Sequence, residues 1–136
     1  MAVGGGGNAV TWDGTSWSSP VNIDQDQFGL SAVSCPSASF CVAVDADGNA
    51  VIWDGTSWSS PVNPDPGESG LLSAISCPSA NFCVAVDGAG RAVTWDGAEW
   101  SPPADIDPGG SFVSVSCASS VFCEAVDTRG YATKGT

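Results

Sequence analysis

CPSASFCVAVDADGNAVIW, residues 35–53, holds the pattern on which the fold turns. FCVAVD and NAVIW each alternate apolar with small or polar side chains, a period of two that suits strands and not helices. Between them stands Asp47-Gly48, the dipeptide of a two-residue type I′ hairpin, with glycine where positive φ is needed. That turn would set Val44 against Val51 and Val42 against Trp53. Upstream, LSAVSC (residues 30–35) is a further strand. If Cys35 lies opposite Cys41, Ser34 pairs with Val42 and Ala32 with Val44. A cross-hairpin disulfide fits that position when the two cysteines form a non-hydrogen-bonded pair. The rival is a zinc site, but zinc takes closely spaced cysteine pairs in twos or with histidines, and the chain has no histidine. The same cysteine phrase returns as CPSANFC (77–83) and CASSVFC (117–123), so the expected bridges are Cys35–Cys41, Cys77–Cys83 and Cys117–Cys123.

The phrase belongs to a longer repeat. NAVTWDGTSWSSPVN (8–22) and NAVIWDGTSWSSPVN (49–63) differ at one position, and RAVTWDGAEWSPPAD (91–105) is a looser copy. The first tryptophan of each falls at 12, 53 and 95, a period of 41 and then 42. From Pro20, Pro61 and Pro103 to the next cysteine the distance is 15, 16 and 14, so all length variation lies in one connection. A second turn, residues 54–57, brings Trp58 back beside the ribbon. Each unit therefore reads as four antiparallel strands: a (LSAVSC), b (FCVAVD), c (NAVIW) and d (SWSSPV).

Four short strands in about 41 residues are the anatomy of a β-propeller blade, and a stacked β-solenoid is the main rival. The expected fold class is all-β, a propeller of four-stranded antiparallel blades, with three blades' worth per chain. The units run over residues 3–43, 44–85 and 86–125, with a partial strand repeat at 126–136, within one domain of 136 residues. Three blades are too few to close a ring, and an open end would expose an apolar flank. A homodimer completing a six-bladed ring is therefore expected. The mid-repeat start and the near-identity of two copies point to an excised or engineered segment.

The signature CPSxxFCVAVDxxGNAxxWDGxxWS resembles a repeat found in tandem arrays in secreted bacterial proteins, generally read as β-propeller-like. The resemblance covers nearly the whole chain. It implies a propeller-like fold and an extracellular setting, and it carries no assigned activity. The third copy departs from it, with Ala118 after Cys117 and Arg91 in place of the turn asparagine.

Fifteen acidic residues stand against three cations, Arg91, Arg129 and Lys134, for a net charge of −12. That charge disfavours nucleic acid and anionic membrane surfaces as partners. No apolar run is long enough to span a membrane, and no signal-peptide pattern is present. Three bridges would require an oxidising compartment, so the chain is expected to be secreted or at the cell surface. Without histidine, a phosphate-cradling loop or a metal cluster, no enzyme and no cofactor are expected. A glycosidase-like carboxylate pair would be available, but nothing selects two acids at a working separation.

The b–c turns and the d–a connections should share one rim, which collects Asp45, Asp47, Asp87 and Asp127 with Asp24, Asp26, Asp65, Glu68, Asp105 and Asp107. Asp45-Ala46-Asp47-Gly48-Asn49 opens like a calcium loop but lacks its distal acid; a hairpin turn with a solvated acid is the expected reading. Trp12, Trp53 and Trp95 are expected in the blade core. Trp17, Trp58 and Trp100, on outer strand d, are candidate platforms for sugars. The chain is thus expected to be a non-catalytic extracellular propeller module binding glycans through Trp17, Trp58 and Trp100, with Asp45, Asp47 and Asp87 as rim contacts. The alternative is a self-assembling structural or engineered scaffold without a ligand.

Overall fold

The structure, a computed structural model, describes residues 1–23, 29–64 and 71–135. Asp24, Asp26, Asp65 and Glu68 of the expected rim lie outside the described residues. The described chain forms four antiparallel sheets. The first holds β1 (Ala2–Val3), β2 (Asn8–Val10) and β3 (Val21–Asn22). The second holds β4 (Leu30–Ser37), β5 (Phe40–Asp45) and β6 (Ala50–Trp53), with Val62 bridged to Ala50 in the place of strand d. The third is a full four-stranded meander: β7 (Leu72–Ser79), β8 (Phe82–Asp87), β9 (Arg91–Trp95) and β10 (Ala104–Asp105). The last holds β11 (Phe112–Ser119), β12 (Phe122–Asp127) and β13 (Ala132–Gly135). Strand d is short and irregular because its prolines have no N–H for the ladder, which confines it to an edge.

The sheets converge on strand a. β4 packs beside β7 and β7 beside β11, whereas β10 lies outermost, paired with its own neighbour β9. The serine before each of the first two bridges links one inner strand to the next. The Cys77 N–H donates to Ser34 Oγ at 2.9 Å, and the Cys117 N–H to Ser76 Oγ at 3.0 Å. This convergence makes the arrangement radial, blade beside blade, and the chain an all-β assembly of propeller blades.

Register follows the spacing on one side of strand b and departs from it on the other. Ser34 pairs with Val42 and Ala32 with Val44, as the cysteine spacing requires. All three bridges are present, with Cα atoms 4.0–4.1 Å apart. Between b and c the pairing is one residue off the type I′ expectation: Val44 faces Ala50, Val42 faces Ile52 and Cys41 faces Trp53. The turn holds three residues, not two. The Asp45 N–H donates to the Asn49 carbonyl at 3.0 Å, and Gly48 ends the loop at φ 84°. The Asp45 carboxylate favours the longer loop, since its Oδ1 accepts the N–H groups of Asp47 and Asn49, both at 2.8 Å. A one-residue change of register exchanges the faces of a strand. Trp53 therefore shares a face with the disulfide, and Ile52 with Val42.

That exchange determines what fills each gap between blades. Val42, Val44 and Ala50 of the second sheet meet Leu72, Ile75, Cys77, Cys83, Ala85 and Val93 of the third. Ala74, Val84 and Val86 on the third sheet's other face meet Phe112, Val115, Cys123 and Ala125 of the last. Both faces of β5 and β8 are buried, but β12 alternates, with Phe122, Glu124 and Val126 exposed. Glu124 stands where the inner copies carry Val42 and Val84, and it pairs across the ladder with Lys134. The exposed flank of the last sheet thus mixes the apolar Phe122 and Val126 with the charges of Glu124 and Lys134.

Candidate functional site

Each WDGxxW segment folds as the same turn. Asp54 Oδ1 accepts the N–H groups of Thr56 and Ser57 at 2.8 and 2.9 Å, and the Asp54 N–H donates to the Ser57 carbonyl at 3.2 Å. Asp13 and Asp96 repeat this arrangement. The turn sets two indoles side by side and tilted: 5.6 Å and 54° for Trp12–Trp17, 5.7 Å and 50° for Trp53–Trp58, 5.6 Å and 53° for Trp95–Trp100. The Trp53 Nε1–H donates to the Ala38 carbonyl and that of Trp95 to the Ala80 carbonyl, both at 3.1 Å. These bonds tie each pair to the a–b loop of its own blade. The first sheet has no strand a, and Trp12 and Trp17 stand 48% and 55% exposed. The core expectation for Trp12, Trp53 and Trp95 is corrected accordingly: Trp53 and Trp95 are half-buried and Trp12 is exposed.

Of the outer tryptophans, Trp58 packs against the cluster of Ala9, Ile23, Leu30, Ala43 and Val51 between the first and second sheets, while Trp100 packs over the gap between the second and third. A groove of about 650 Å³ opens there. Ile52, Ser59 and Asn63 line one wall, and Trp95, Glu99 and Trp100 the other. Its indoles, lined up beside serine, asparagine and glutamate, suit a ligand with one flat apolar face bordered by hydroxyls or amides. A second groove, of about 460 Å³, lies between the third and last sheets, and its walls include Val84, Ile106, Val115 and Gly135.

The rim carboxylates do different work. Asp45, Asp87 and Asp127 are buried, not solvated. Each directs Oδ1 at N–H groups of its own turn. Oδ2 is satisfied in three ways: by Asn49 Nδ2 at 3.0 Å, by Arg91 Nε at 2.8 Å and by Arg129 Nε at 2.8 Å. Arg91 thus takes over the role of the turn asparagine. Arg129 also donates from one Nη to both oxygens of Asp107, at 2.8 and 2.9 Å. Two of the chain's three cations therefore pair with carboxylates of this rim. Asp47 is exposed. The connections do run beside the b–c turns, since the N–H groups of Ile106 and Asp107 both reach the Gly90 carbonyl at 3.0 Å. The packing is so close that a Cβ on Gly90 would collide with the Asp107 carbonyl. The predicted residues are therefore not gathered into one place: the acids serve the turns of one rim, and only Trp100 lines the groove. Ile52, Ser59, Asn63 and Glu99 had no individual signal, except that Glu99 stands where the other two copies have serine.

Burial alone would push the Asp127 carboxyl up, but the Tyr131 N–H, the Arg129 guanidinium and the Arg129 N–H outweigh it and hold it at about 2. The N–H groups of Ser16 and Thr15 lower Asp13, those of Ser57 and Thr56 lower Asp54, and those of Glu99 and Ala98 lower Asp96. A carboxyl depressed in the folded state adds stability above its unfolded value, and loses it as pH falls toward the folded one. The melting temperature should therefore hold near neutrality and fall between the ordinary carboxylate value of 3.8 and about 2. A melt series over that range checks this, and Asp127→Asn should flatten the slope.

No protein-family model matches the chain. No curated protein matches it either. Solved structures of YCF48 are among those that share its shape. YCF48 from Cyanidioschyzon merolae, a β-propeller protein, superposes with a TM-score of 0.75 at 16% identity over 96% of this chain and 45% of that one. A structure described as YCF48 bound to D1 peptide gives 0.66 at 18% identity over 77% and 36%. The chain spans less than half the length of either. At these identities the likeness is one of fold, and it agrees with the radial stack of meander sheets: the chain is built of β-propeller blades.

Proposed function

We propose that the chain is a non-catalytic, extracellular propeller module that binds carbohydrate in the groove between its second and third sheets. The observation that carries this reading is the Trp95–Trp100 pair beside Ser59, Asn63 and Glu99, an aromatic wall with hydrogen-bonding groups at its edge. Sugars offer the matching surface, an apolar ring face bordered by hydroxyls. A non-catalytic role is supported by the buried carboxylates, whose oxygens are engaged in turns and ion pairs. The three bridges support an oxidising setting.

A glycan-array screen followed by calorimetry tests the reading. Saturable binding that falls at least tenfold in Trp100→Ala and survives in Trp17→Ala is expected. Silence across the array would favour the scaffold alternative. A peptide ligand is the second reading, because one similar fold has been solved with a peptide bound; a peptide-array signal sensitive to Trp100→Ala would support it over carbohydrate.

A further inference from the structure

We propose that the groove between the second and third sheets selects cationic amino sugars, the protonated amine pairing with Glu99 while the sugar ring lies on the Trp95–Trp100 wall. The inference rests on the carbohydrate reading above and narrows it to one charge class. Glu99 is the only charged residue among the described residues that line the groove. It is exposed, and its hydrogen bonds, both to Asp96, are made by its backbone N–H and carbonyl. The turn thus fixes the main chain of Glu99 and leaves its carboxylate to a ligand. The chain's three cations are engaged elsewhere: Arg91 and Arg129 pair with Asp87, Asp107 and Asp127, and Lys134 lies over the Phe122 ring. Folding does not require the carboxylate at this position. Ser16 and Ser57 hold it in the other two turns, and their backbones make the same bonds to Asp13 and Asp54.

The serines of the groove point to the same ligand chemistry. Ser59 Oγ accepts the Ile52 N–H at 2.9 Å and donates to the Ser60 carbonyl at 3.1 Å. Ser101 Oγ accepts the Thr94 N–H at 2.9 Å and donates to the Pro102 carbonyl at 3.2 Å. A hydroxyl has one proton to give, so these serines, like Glu99, have only acceptor capacity left for a ligand. An ammonium group brings three N–H donors and no acceptor. The indole faces favour the same charge, since an aromatic ring attracts a cation over its face. An acidic sugar would instead meet Glu99 as a like charge, on a chain whose net charge is −12.

Calorimetry with a chitosan tetramer and a chitin tetramer tests the proposal, in mildly acidic buffer where the sugar amines are protonated. The two share rings and ring hydroxyls and differ in whether each nitrogen is charged or acetylated. The chitosan tetramer should bind about tenfold more tightly, the combined effect of an exposed ion pair and one cation–π contact. Glu99→Gln should cut that preference to about twofold, because it removes the ion pair and keeps the size of the side chain. Glu99→Ser, the residue of the other two turns, should do the same, and raising the salt should shrink the preference in the parent. Equal or tighter binding of the chitin tetramer, or a preference unchanged in Glu99→Gln, overturns the charge selection and leaves the carbohydrate reading standing. Chitosan binding unmoved by Trp100→Ala is general attraction to an acidic surface and also overturns it. So does a lysine peptide that binds more tightly than the chitosan tetramer and is weakened by Glu99→Gln, which would assign the groove to peptide. If neither tetramer binds, the selection falls; the carbohydrate reading falls with it only when the glycan array is silent too.

Discussion

Reducing the three disulfides is expected to remove most of the stability of this fold. Each bridge closes a loop with a sequence separation of six, which on the chain-entropy model contributes about 2 kcal/mol. Three such contributions, about 6 kcal/mol, fall within the lower part of the roughly 5–15 kcal/mol by which a domain is stable at all. The bridges should not count equally. Cys77 and Cys83 are buried in the layer between the second and third sheets, 6% and 0% exposed, whereas Cys35 is exposed. Replacing Cys77 and Cys83 by serine puts two hydroxyls into that layer as well as opening the loop. It should lower the melting temperature by more than the roughly 8 °C that 2 kcal/mol implies for a domain of this size. The Cys35→Ser/Cys41→Ser variant should lose less. Thermal melts with and without reductant check the ranking. Melts that coincide within a degree or two would show that the bridges do not constrain the chain.

The second large effect is expected at Asp87. Its carboxylate is 1% exposed and accepts the N–H groups of Ala89 and Arg91, at 2.9 and 2.8 Å, as well as Arg91 Nε. Asp87→Ala would leave turn donors facing a hole and deprive a largely covered guanidinium of its carboxylate. Breaking a buried ion pair from one side costs about 3–5 kcal/mol. Asp45→Ala breaks the same turn bonds, but its side-chain partner is the neutral Asn49, so about 1–3 kcal/mol is expected. Urea denaturation of both variants measures the difference. If Asp87→Ala is as stable as the parent and instead alters ligand binding, the carboxylate is a contact residue and its turn role is secondary.

Much of the architecture is encoded within a few residues of where it is expressed. The glycines at 7, 48, 90 and 130 all take positive φ, because each ends a tight turn between two alternating segments. Cysteines six apart across a hairpin can meet only each other, so the bridges were legible from spacing. The acids of the b–c turns were visible as residues, but their burial was not, because alternation within a strand does not say what stands on each side of the sheet. The groove was less legible still. Its walls come from two units about 41 residues apart, and Ser59 and Asn63 are ordinary edge-strand residues until Trp100 of the next blade is placed opposite them.

By itself, the sequence determined the strand order, the turn positions, the cysteine pairing and the repetition of one blade, all of which rest on contacts short in chain length. The tertiary structure decided the rest. Asp45 lengthened the loop and exchanged the faces of strand c through N–H groups only two and four residues on, a local contact; what each exchanged face then meets was decided by the neighbouring sheets. Three WDGxxW turns of the same local geometry ended in different surroundings, because an indole is buried only when a neighbouring sheet stands in front of it. Glu124 and Val84 occupy one repeat position with opposite chemistry for the same reason: one faces solvent and the other faces a blade.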